Sequence, residues 1–242
     1  MNSYIMEGGF PRAVLIEDLA DKRKYAASVV EEIFAKDIRR RVKIRDRQAF
    51  ETVRDYIINN FGATTSILGL QEALRKNGLH IGRVTVQRYI QALLDAKILY
   101  ACDQFDMKSK RSLKGEKKYY LSDLGFYFCR NTDNRINYGP VLENLVYIYA
   151  RSLGYAVSVG RIGKLEVDFI LRDEGMNYAY VQVAYTIMAS QDTEEREYRP
   201  LEAIRDNYAK YVVTMDSLQQ QRNGICHVNM AEFMLHQARF IS

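Results

Sequence analysis

A carboxylate lies inside an apolar segment in the second half of the sequence. Asp168 stands between Val167 and Phe169 in LEVDFILR, whose alternation predicts a β-strand. Burial of a charged carboxylate is costly unless the group is paired or coordinates a cation. Gln182 follows 14 residues later, across one turn, so the two side chains are expected to be neighbours on antiparallel strands. These oxygen ligands indicate metal-dependent chemistry of the kind that nucleases use.

Two further acids could join this pair. Glu166 precedes Asp168 by two residues and shares its strand face. Glu143 interrupts an apolar stripe in the helical segment VLENLVY. Magnesium takes oxygen ligands from one or two carboxylates, with water and phosphate completing its shell. We therefore predict that Glu143, Asp168 and Gln182 converge on one site that allows magnesium binding.

The same acids also have a purely structural interpretation. Ion-pair networks collect carboxylates much as active sites do. Three basic residues could pair with Glu143 and Asp168, namely Arg161, Lys164 and Arg196. The sequence leaves both interpretations open.

The elements that must position these residues belong to the segment 140–242. Its order is a helix with Pro140 in the first turn, three strands, a helix and further strands. Such alternation predicts an α/β domain with a central mixed sheet, and an α/β, multi-domain fold for the whole chain.

The preceding 139 residues predict a different organisation. Residues 1–45 form a helical segment, and residues 46–123 give three helices followed by a hairpin, the order of a winged helix-turn-helix. Asp46 and Ser66 are predicted N-caps of the first two of these helices. Residues 124–139 are a predicted linker.

The third helix of the winged module has a polar face suited to nucleic acid. In this architecture the third helix enters the major groove. The residues predicted to lie near base edges are Arg83, Gln87, Arg88 and Gln91. Winged helices also serve as protein-protein elements, so the fold does not by itself imply DNA binding.

The predicted hairpin carries the charge of the chain. KSKRSLKGEKK, residues 108–118, holds six basic residues against one acid, which equals the formal net charge of +5 for the whole protein. A local basic cluster is typical of phosphate binding, and its candidate contacts are Lys108, Lys110, Arg111 and Lys114. The alternative is a solvated, mobile loop.

Composition argues against several classes of protein. There is no run of about 18 apolar residues, which predicts no membrane span, and the N-terminus lacks a signal-peptide pattern. The three cysteines are far apart and without zinc spacing, as expected of reduced thiols in a cytoplasmic protein. No GxxxxGK[ST] occurs, so no nucleotide is expected in a P-loop of this chain.

The motifs LEN, EVDF and YVQVAY, in this order, resemble the PD-(D/E)XK nuclease superfamily. With GGFP, KKYYLSDLGF and REYRPLEAIRDNYAKYVVTMD, nearly the whole chain resembles the C-terminal half of a bacterial and archaeal family of AAA-type ATPases. In that family the ATPase core is followed by a lid, a winged helix and a nuclease-like domain of uncharacterised function. The resemblance implies that residues 1–45 are lid-like and that residues 140–242 are nuclease-like. It also implies that the chain is a fragment of such an ATPase or a stand-alone descendant of its C-terminal half.

The resemblance assigns Glu143 as the helix acid, Asp168 as the strand acid and Gln182 as the first position of the (D/E/Q)-X-K element. Ala184 stands where that element has lysine. The lysine would stabilise developing negative charge, so its absence predicts weak or absent cleavage. Lys164 is the candidate substitute.

Three functions follow from these observations. The first is a DNA-binding or partner-binding module with a degenerate nuclease-like domain. The second is an active magnesium-dependent nuclease, and the third is a protein-interaction domain. The candidate partners are DNA, an ATPase domain and a second copy of the chain, with no membrane.

Overall fold

The structure is a computed structural model that describes residues 2–129 and 137–241, without the side chains at positions 2, 3, 6, 41 and 114. It is a mixed α/β fold with a large central sheet, which confirms the predicted fold class. Two compact units divide the chain. One comprises Met1–Ala101 with Gly115–Ile136, and the other comprises Cys102–Lys114 with Asn137–Ser242.

The first unit is mainly helical. The helices and strands of residues 2–129, in chain order, are α1 (Asn2–Glu7), α2 (Leu19–Ile33), α3 (Arg39–Arg41), α4 (Arg47–Asn59), β1 (Thr64–Ser66), α5 (Ile67–Lys76), α6 (Arg83–Asp95), the hairpin β2 (Leu99–Asp106) and β3 (Arg111–Leu121), and α7 (Gly125–Phe128). β1 pairs antiparallel with β3. The predicted order of three helices and a hairpin is therefore present, with β1 as an added edge strand.

Local capping explains where these helices begin. Asp18, Asp46 and Ser66 each accept a hydrogen bond from the backbone N–H three residues on, at 2.9, 2.9 and 3.0 Å. The caps predicted at Asp46 and Ser66 are confirmed. α2 is followed by a π-helical turn at Phe34–Ile38, which leads into α3.

The core of the first unit is built around aromatic contacts between its helices. Phe50 on α4 contacts Phe34 and the α6 residue Tyr89, with both ring centroids 5.3 Å away. Val86 and Leu93 of α6 are fully buried in the same unit. This apolar side of α6 leaves its opposite side for solvent.

The second unit is a sheet between helices. Its elements are α8 (Tyr138–Ser152), β4 (Ala156–Ile162), β5 (Leu165–Arg172), β6 (Tyr178–Val183), α9 (Gln191–Glu202), β7 (Ala209–Thr214), β8 (Gln221–Arg222), β9 (Ile225–Asn229) and α10 (Met230–Leu235). The strand order is β4-β5-β6-β7-β9-β8. β4, β5 and β6 are antiparallel neighbours, whereas β7 is parallel to β6 and to β9.

The tip of the β2–β3 hairpin, Cys102–Lys114, belongs to the second unit. Gln104–Asp106 pairs in parallel with Val159–Arg161 of β4. Met107 N–H donates to the Arg161 carbonyl at 2.9 Å. The compact units thus differ from the predicted ranges 1–45, 46–123, 124–139 and 140–242, which remain predictions, and residues 130–136 of the predicted linker lie outside the described residues.

α8 and α9 cover opposite faces of the second unit's sheet. Tyr147 of α8 contacts Phe169, with ring centroids 6.1 Å apart. Tyr198 of α9 shares an apolar cluster with Ile170. Phe169 and Ile170 are consecutive residues of β5, so their side chains point to opposite faces.

Two further features concern membranes and thiols. Within residues 2–129 and 137–241, no helix has the length and apolar character needed to cross a bilayer. Cys102, Cys129 and Cys226 are not joined by disulfides.

Candidate functional site

A β-bulge shapes the strand that carries Asp168. Ser158 pairs with Ile170 and Gly160 pairs with Val167, so two residues of β5, Asp168 and Phe169, oppose one residue of β4. Val167 and Ile170 therefore lie on one face. A Cβ at Gly160 would approach both of their side chains at 3.1 Å. Bulges of this kind redirect side chains and are common beside active sites.

The bulge brings Asp168 to the place where β5 and β6 separate. The last backbone pair of the β5–β6 ladder in this direction is Phe169–Val181. Beyond it, the Asp168 Oδ2 accepts a hydrogen bond from the Val183 N–H at 2.8 Å. The carboxylate thus takes the place of a backbone acceptor. It does so in a nearly buried position, since Asp168 is only 7% exposed.

Gln182 connects Asp168 to helix α9. Its Oε1 accepts the Asp168 N–H at 3.3 Å, and its Nε2 donates to Oε2 of Glu197 at 3.1 Å. Glu197 is itself buried, and its Oε1 is bound by Arg196 at 2.8 Å. The predicted neighbours Asp168 and Gln182 are thus in contact, and α9 adds a carboxylate and a guanidinium.

Ala184 lies in the apolar core. It is 8% exposed and belongs to the cluster formed by Ile187, Tyr198, Leu201 and their neighbours. A lysine at this position would have to carry its ammonium group out of an apolar environment, at a cost in stability. The position at which the motif has lysine is therefore packed for a small side chain.

Glu143 is half-buried on α8, the helix of the opposite layer from α9. Its convergence with Asp168 remains a prediction. Glu166 pairs with Arg161 at 3.5 Å. Lys164 is exposed in the β4–β5 turn, four residues before Asp168, which is about 13 Å along an extended strand. That separation argues against Lys164 as a substitute for the missing lysine.

The side chains at this site have the oxygen ligands that hard cations prefer. Asp168, Gln182 and Glu197 offer oxygen atoms, which magnesium prefers. Within the described ranges, however, no group of three or more His, Cys, Asp or Glu residues is arranged to hold a metal ion. Magnesium at this position therefore remains a proposal.

Sequence reasoning missed Glu197. It lies in REYRPLE, a segment predicted only as a helix, between Arg196 and the core residue Tyr198. The available signal was its place on the apolar side of an amphipathic helix, where an acid needs a partner. No local pattern indicates that the partner is Gln182.

The polar face of α6 is arranged as predicted. Its four candidate contacts are exposed, namely Arg83, Gln87, Arg88 and Gln91. The Gln91 amide donates to Asp95 at 2.8 Å. Two guanidinium groups and two amides therefore share the solvent side of one helix.

The basic hairpin tip is an ordered part of the second unit. Lys108, Lys110 and Arg111 are exposed, whereas the side chain of Lys114 lies outside the described part of the structure. Asp106 stabilises the turn by accepting from the Lys108 N–H and the Ser109 hydroxyl, both at 2.9 Å. The tip is thus a fixed basic surface of its unit.

Together, the fold and the site define an α/β protein with a helix-rich first unit. Its second unit holds an acid–amide pair, Asp168 and Gln182, at the place where β5 and β6 separate. Residues 1–135 match the profile of the domain of unknown function DUF8612, and the chain belongs to this family. An uncharacterized protein of Haemophilus influenzae is 28% identical over 97% of this chain and 57% of its own length. The uncharacterized protein MJ1544 of Methanocaldococcus jannaschii is 28% identical over 85% of this chain and 46% of its own length.

The chain thus spans about half the length of these curated relatives. No solved structure matches it.

Proposed function

We propose that the chain is a DNA-binding module in which a winged helix precedes a degenerate PD-(D/E)XK-like domain. The observation that carries the proposal is the exposed face of α6, with Arg83, Gln87, Arg88 and Gln91 on one side of the helix. Arginine and glutamine are side chains that read base edges in the major groove. α6 is the third helix of the α4–α5–α6 set, the position of a recognition helix.

The hairpin tip supplies a second, sequence-independent contact in this proposal. Lys108, Lys110 and Arg111 are exposed cations on a turn that is ordered by Asp106. Fixed cations bind phosphate and release counterions, which gives affinity without base specificity. Such contacts set the register of a protein on DNA.

The nuclease-like site is proposed to be weak or inactive. Asp168 and Gln182 remain paired, but Ala184 lies in the core where the motif has lysine. A magnesium ion, if bound by Asp168, Gln182 and Glu143, would neutralise charge on a phosphate. Loss of one electrostatic stabiliser typically lowers the rate by about 100- to 1,000-fold.

The AAA-type ATPase resemblance adds a proposed partner, an ATPase domain. The matched relatives are about twice as long as this chain, which leaves room for a further domain. A GxxxxGK[ST] motif in the unmatched part of the two relatives would support this proposal, and its absence from both would contradict it. Self-association is the alternative mode of assembly, and a cytoplasmic location belongs to the same proposal.

The α6 contact can be tested by a double substitution. Arg83→Ala/Arg88→Ala should weaken binding of labelled duplex DNA, measured by fluorescence anisotropy at 50 mM salt. Lys24→Ala/Lys36→Ala is the matched control, because it also removes two cations from exposed helix positions of the same unit. An equal loss of DNA affinity in both variants would show that the effect comes from net charge and not from the face of α6. Unchanged affinity in the α6 variant would contradict the proposal.

Two alternatives rest on particular observations. Glu197 provides a second buried carboxylate beside Gln182, which favours an active magnesium-dependent nuclease. Robust cleavage of plasmid by the unmodified chain, lost in Asp168→Asn, would select it.

Val84 on α6 and Leu68 on α5 are 79% and 53% exposed, which favours a protein partner. Absence of nucleic-acid binding at low salt would select that interpretation.

A further inference from the structure

A cavity of about 500 Å³ opens in the second unit beside the central sheet. It is lined by side chains from the hairpin tip, from β5 and β6, and from the turn before β7. They include Phe105, Lys110, Tyr178, Tyr180, Asp206 and Tyr208. Neither the acid–amide pair nor the face of α6 contributes to it.

The walls of this cavity are mainly aromatic. Tyr178 and Tyr208 contact each other, with ring centroids 5.2 Å apart. Tyr208 nevertheless keeps 41% of its surface exposed, so its ring has a surface on which a planar ligand can stack. Phe105 adds a third ring from the hairpin tip. Tyrosine and phenylalanine rings stack with bases whatever their sequence.

The carboxylate of Asp206 is a hydrogen-bond acceptor that is held in place among these rings. Asp206 Oδ2 accepts the Tyr180 hydroxyl at 2.6 Å, and Asp206 Oδ1 accepts the Tyr208 N–H at 3.2 Å. The Lys210 ammonium lies 3.6 Å from Oδ1 and donates to the Asp206 carbonyl at 2.7 Å. A carboxylate oxygen has two acceptor sites, so Oδ2 can also accept an N–H group from a ligand.

The charges around the cavity select the class of ligand. Lys110 lines the cavity from the hairpin tip, on which Lys108 and Arg111 are also exposed. The Lys110 ammonium in the lining disfavours a cationic ligand, although aromatic rings and a carboxylate would otherwise suit one. A planar group with N–H donors that carries a phosphate satisfies the rings, Asp206 and Lys110 together.

We propose that this cavity receives one unpaired nucleotide, with its base against Tyr208, an N–H group on Asp206 and its phosphate at Lys110. The inference rests on the proposed function and specifies a form of nucleic acid, namely one with an unpaired base. It is compatible with the position of the candidate nuclease-like site. Ile170 and Tyr180 form a pair on β5 and β6, two residues along each strand from Asp168 and Gln182.

The test compares three labelled probes of equal length with the whole chain by fluorescence anisotropy at 50 mM salt. They are a fully paired duplex, the same duplex with one bulged adenine, and a single strand. We expect the bulged probe to bind about 5- to 150-fold more tightly than the paired duplex, the range typical of one base–aromatic stack.

Three variants assign this difference to the cavity. Tyr208→Ala should abolish the preference for the bulged probe, whereas Tyr208→Phe, which retains the ring, should preserve it. Leu235→Ala is the control, because it truncates another exposed side chain of the same unit, on α10. Circular dichroism establishes that all three variants are folded.

The outcomes separate this inference from the proposed function. Duplex binding without any preference for the bulge, or a preference that survives in Tyr208→Ala, would overturn the cavity proposal and leave duplex binding intact. Preference for bulge and single strand, with weak duplex binding that Arg83→Ala/Arg88→Ala does not change, would support the cavity and contradict the role of α6. No binding of any probe would overturn both.

One competitor separates a nucleotide within a strand from a free nucleotide. Free deoxyadenosine monophosphate that displaces the bulged probe at micromolar concentration would support the cavity as a site for free nucleotides. Displacement only at millimolar concentration or above would support a site for a nucleotide held within a strand.

Discussion

The carboxylate of Asp168 accepts the backbone N–H of Val183 at 2.8 Å, across the opening between two strands. This contact gives Asp168 a structural role in addition to any chemical one. The bulge at Asp168 and Phe169 turns the side chain into the ladder, where it replaces a backbone carbonyl. The acid at the predicted site is therefore part of the hydrogen bonding of the sheet.

Asp168→Ala should destabilise the protein even without any metal. The substitution leaves the buried Val183 N–H without its acceptor, which costs about 1–3 kcal/mol. Asp168→Asn retains an oxygen acceptor and should cost less, while abolishing any magnesium-dependent cleavage. Urea unfolding followed by circular dichroism measures both, with the exposed acid variant Glu174→Ala as the control. Equal stability of Asp168→Ala and the unmodified chain would contradict the structural role.

Ala184→Lys should raise magnesium-dependent plasmid cleavage and lower stability at the same time. The lysine restores the cation of the motif, but it enters a core position that is 8% exposed. Overpacking of such a position costs about 1–3 kcal/mol. Ala184→Met is the matched control, since it adds similar bulk without charge. A folded Ala184→Lys variant that cleaves no faster than Ala184→Met would show that the missing lysine does not limit the activity.

Substitution of the hairpin cations should flatten the salt dependence of DNA binding. For Lys108, Lys110, Arg111 and Lys114 changed together to alanine, the slope of log affinity against log salt should fall by about 0.9 for each lost phosphate contact. Anisotropy titrations at several salt concentrations give the slope. An unchanged slope and affinity would remove the tip from the interface and favour a protein partner.

Acid should destabilise the second unit through His227. This residue is buried, and its Nε2 lies 2.7 Å from the Thr214 hydroxyl. Burial lowers the pKa of His227, an effect that Asp216 and Glu194 partly oppose. The folded state thus favours the neutral ring, so its stability should fall as the pH drops from above the unfolded value of about 6.5 to below it.

Urea unfolding at pH 7.5, 6.5 and 5.5 tests this expectation. His227→Gln has no titrating ring and should show a smaller loss of stability over the same interval. A loss of equal size in both proteins would assign the pH dependence to other groups.

The local features of this protein were predictable from its sequence. Side-chain caps act within three residues, so Asp46 and Ser66 mark helix starts without knowledge of the rest of the fold. The polar face predicted for α6 likewise follows from helical periodicity: Arg83 and Arg88 are exposed, and Val86 and Leu93 on the other side are buried. Alternation along β5 and β6 predicted that Asp168 and Gln182 are neighbours.

The remaining features depend on contacts between residues that are distant in the chain. The bulge at Asp168 depends on the register against β4, and the burial of Ala184 depends on the packing of α9. Glu197 contacts Gln182 from a different element, and the hairpin tip pairs with a strand more than 50 residues later. A local pattern states which face of an element is apolar, but packing of the whole chain decides which element covers it.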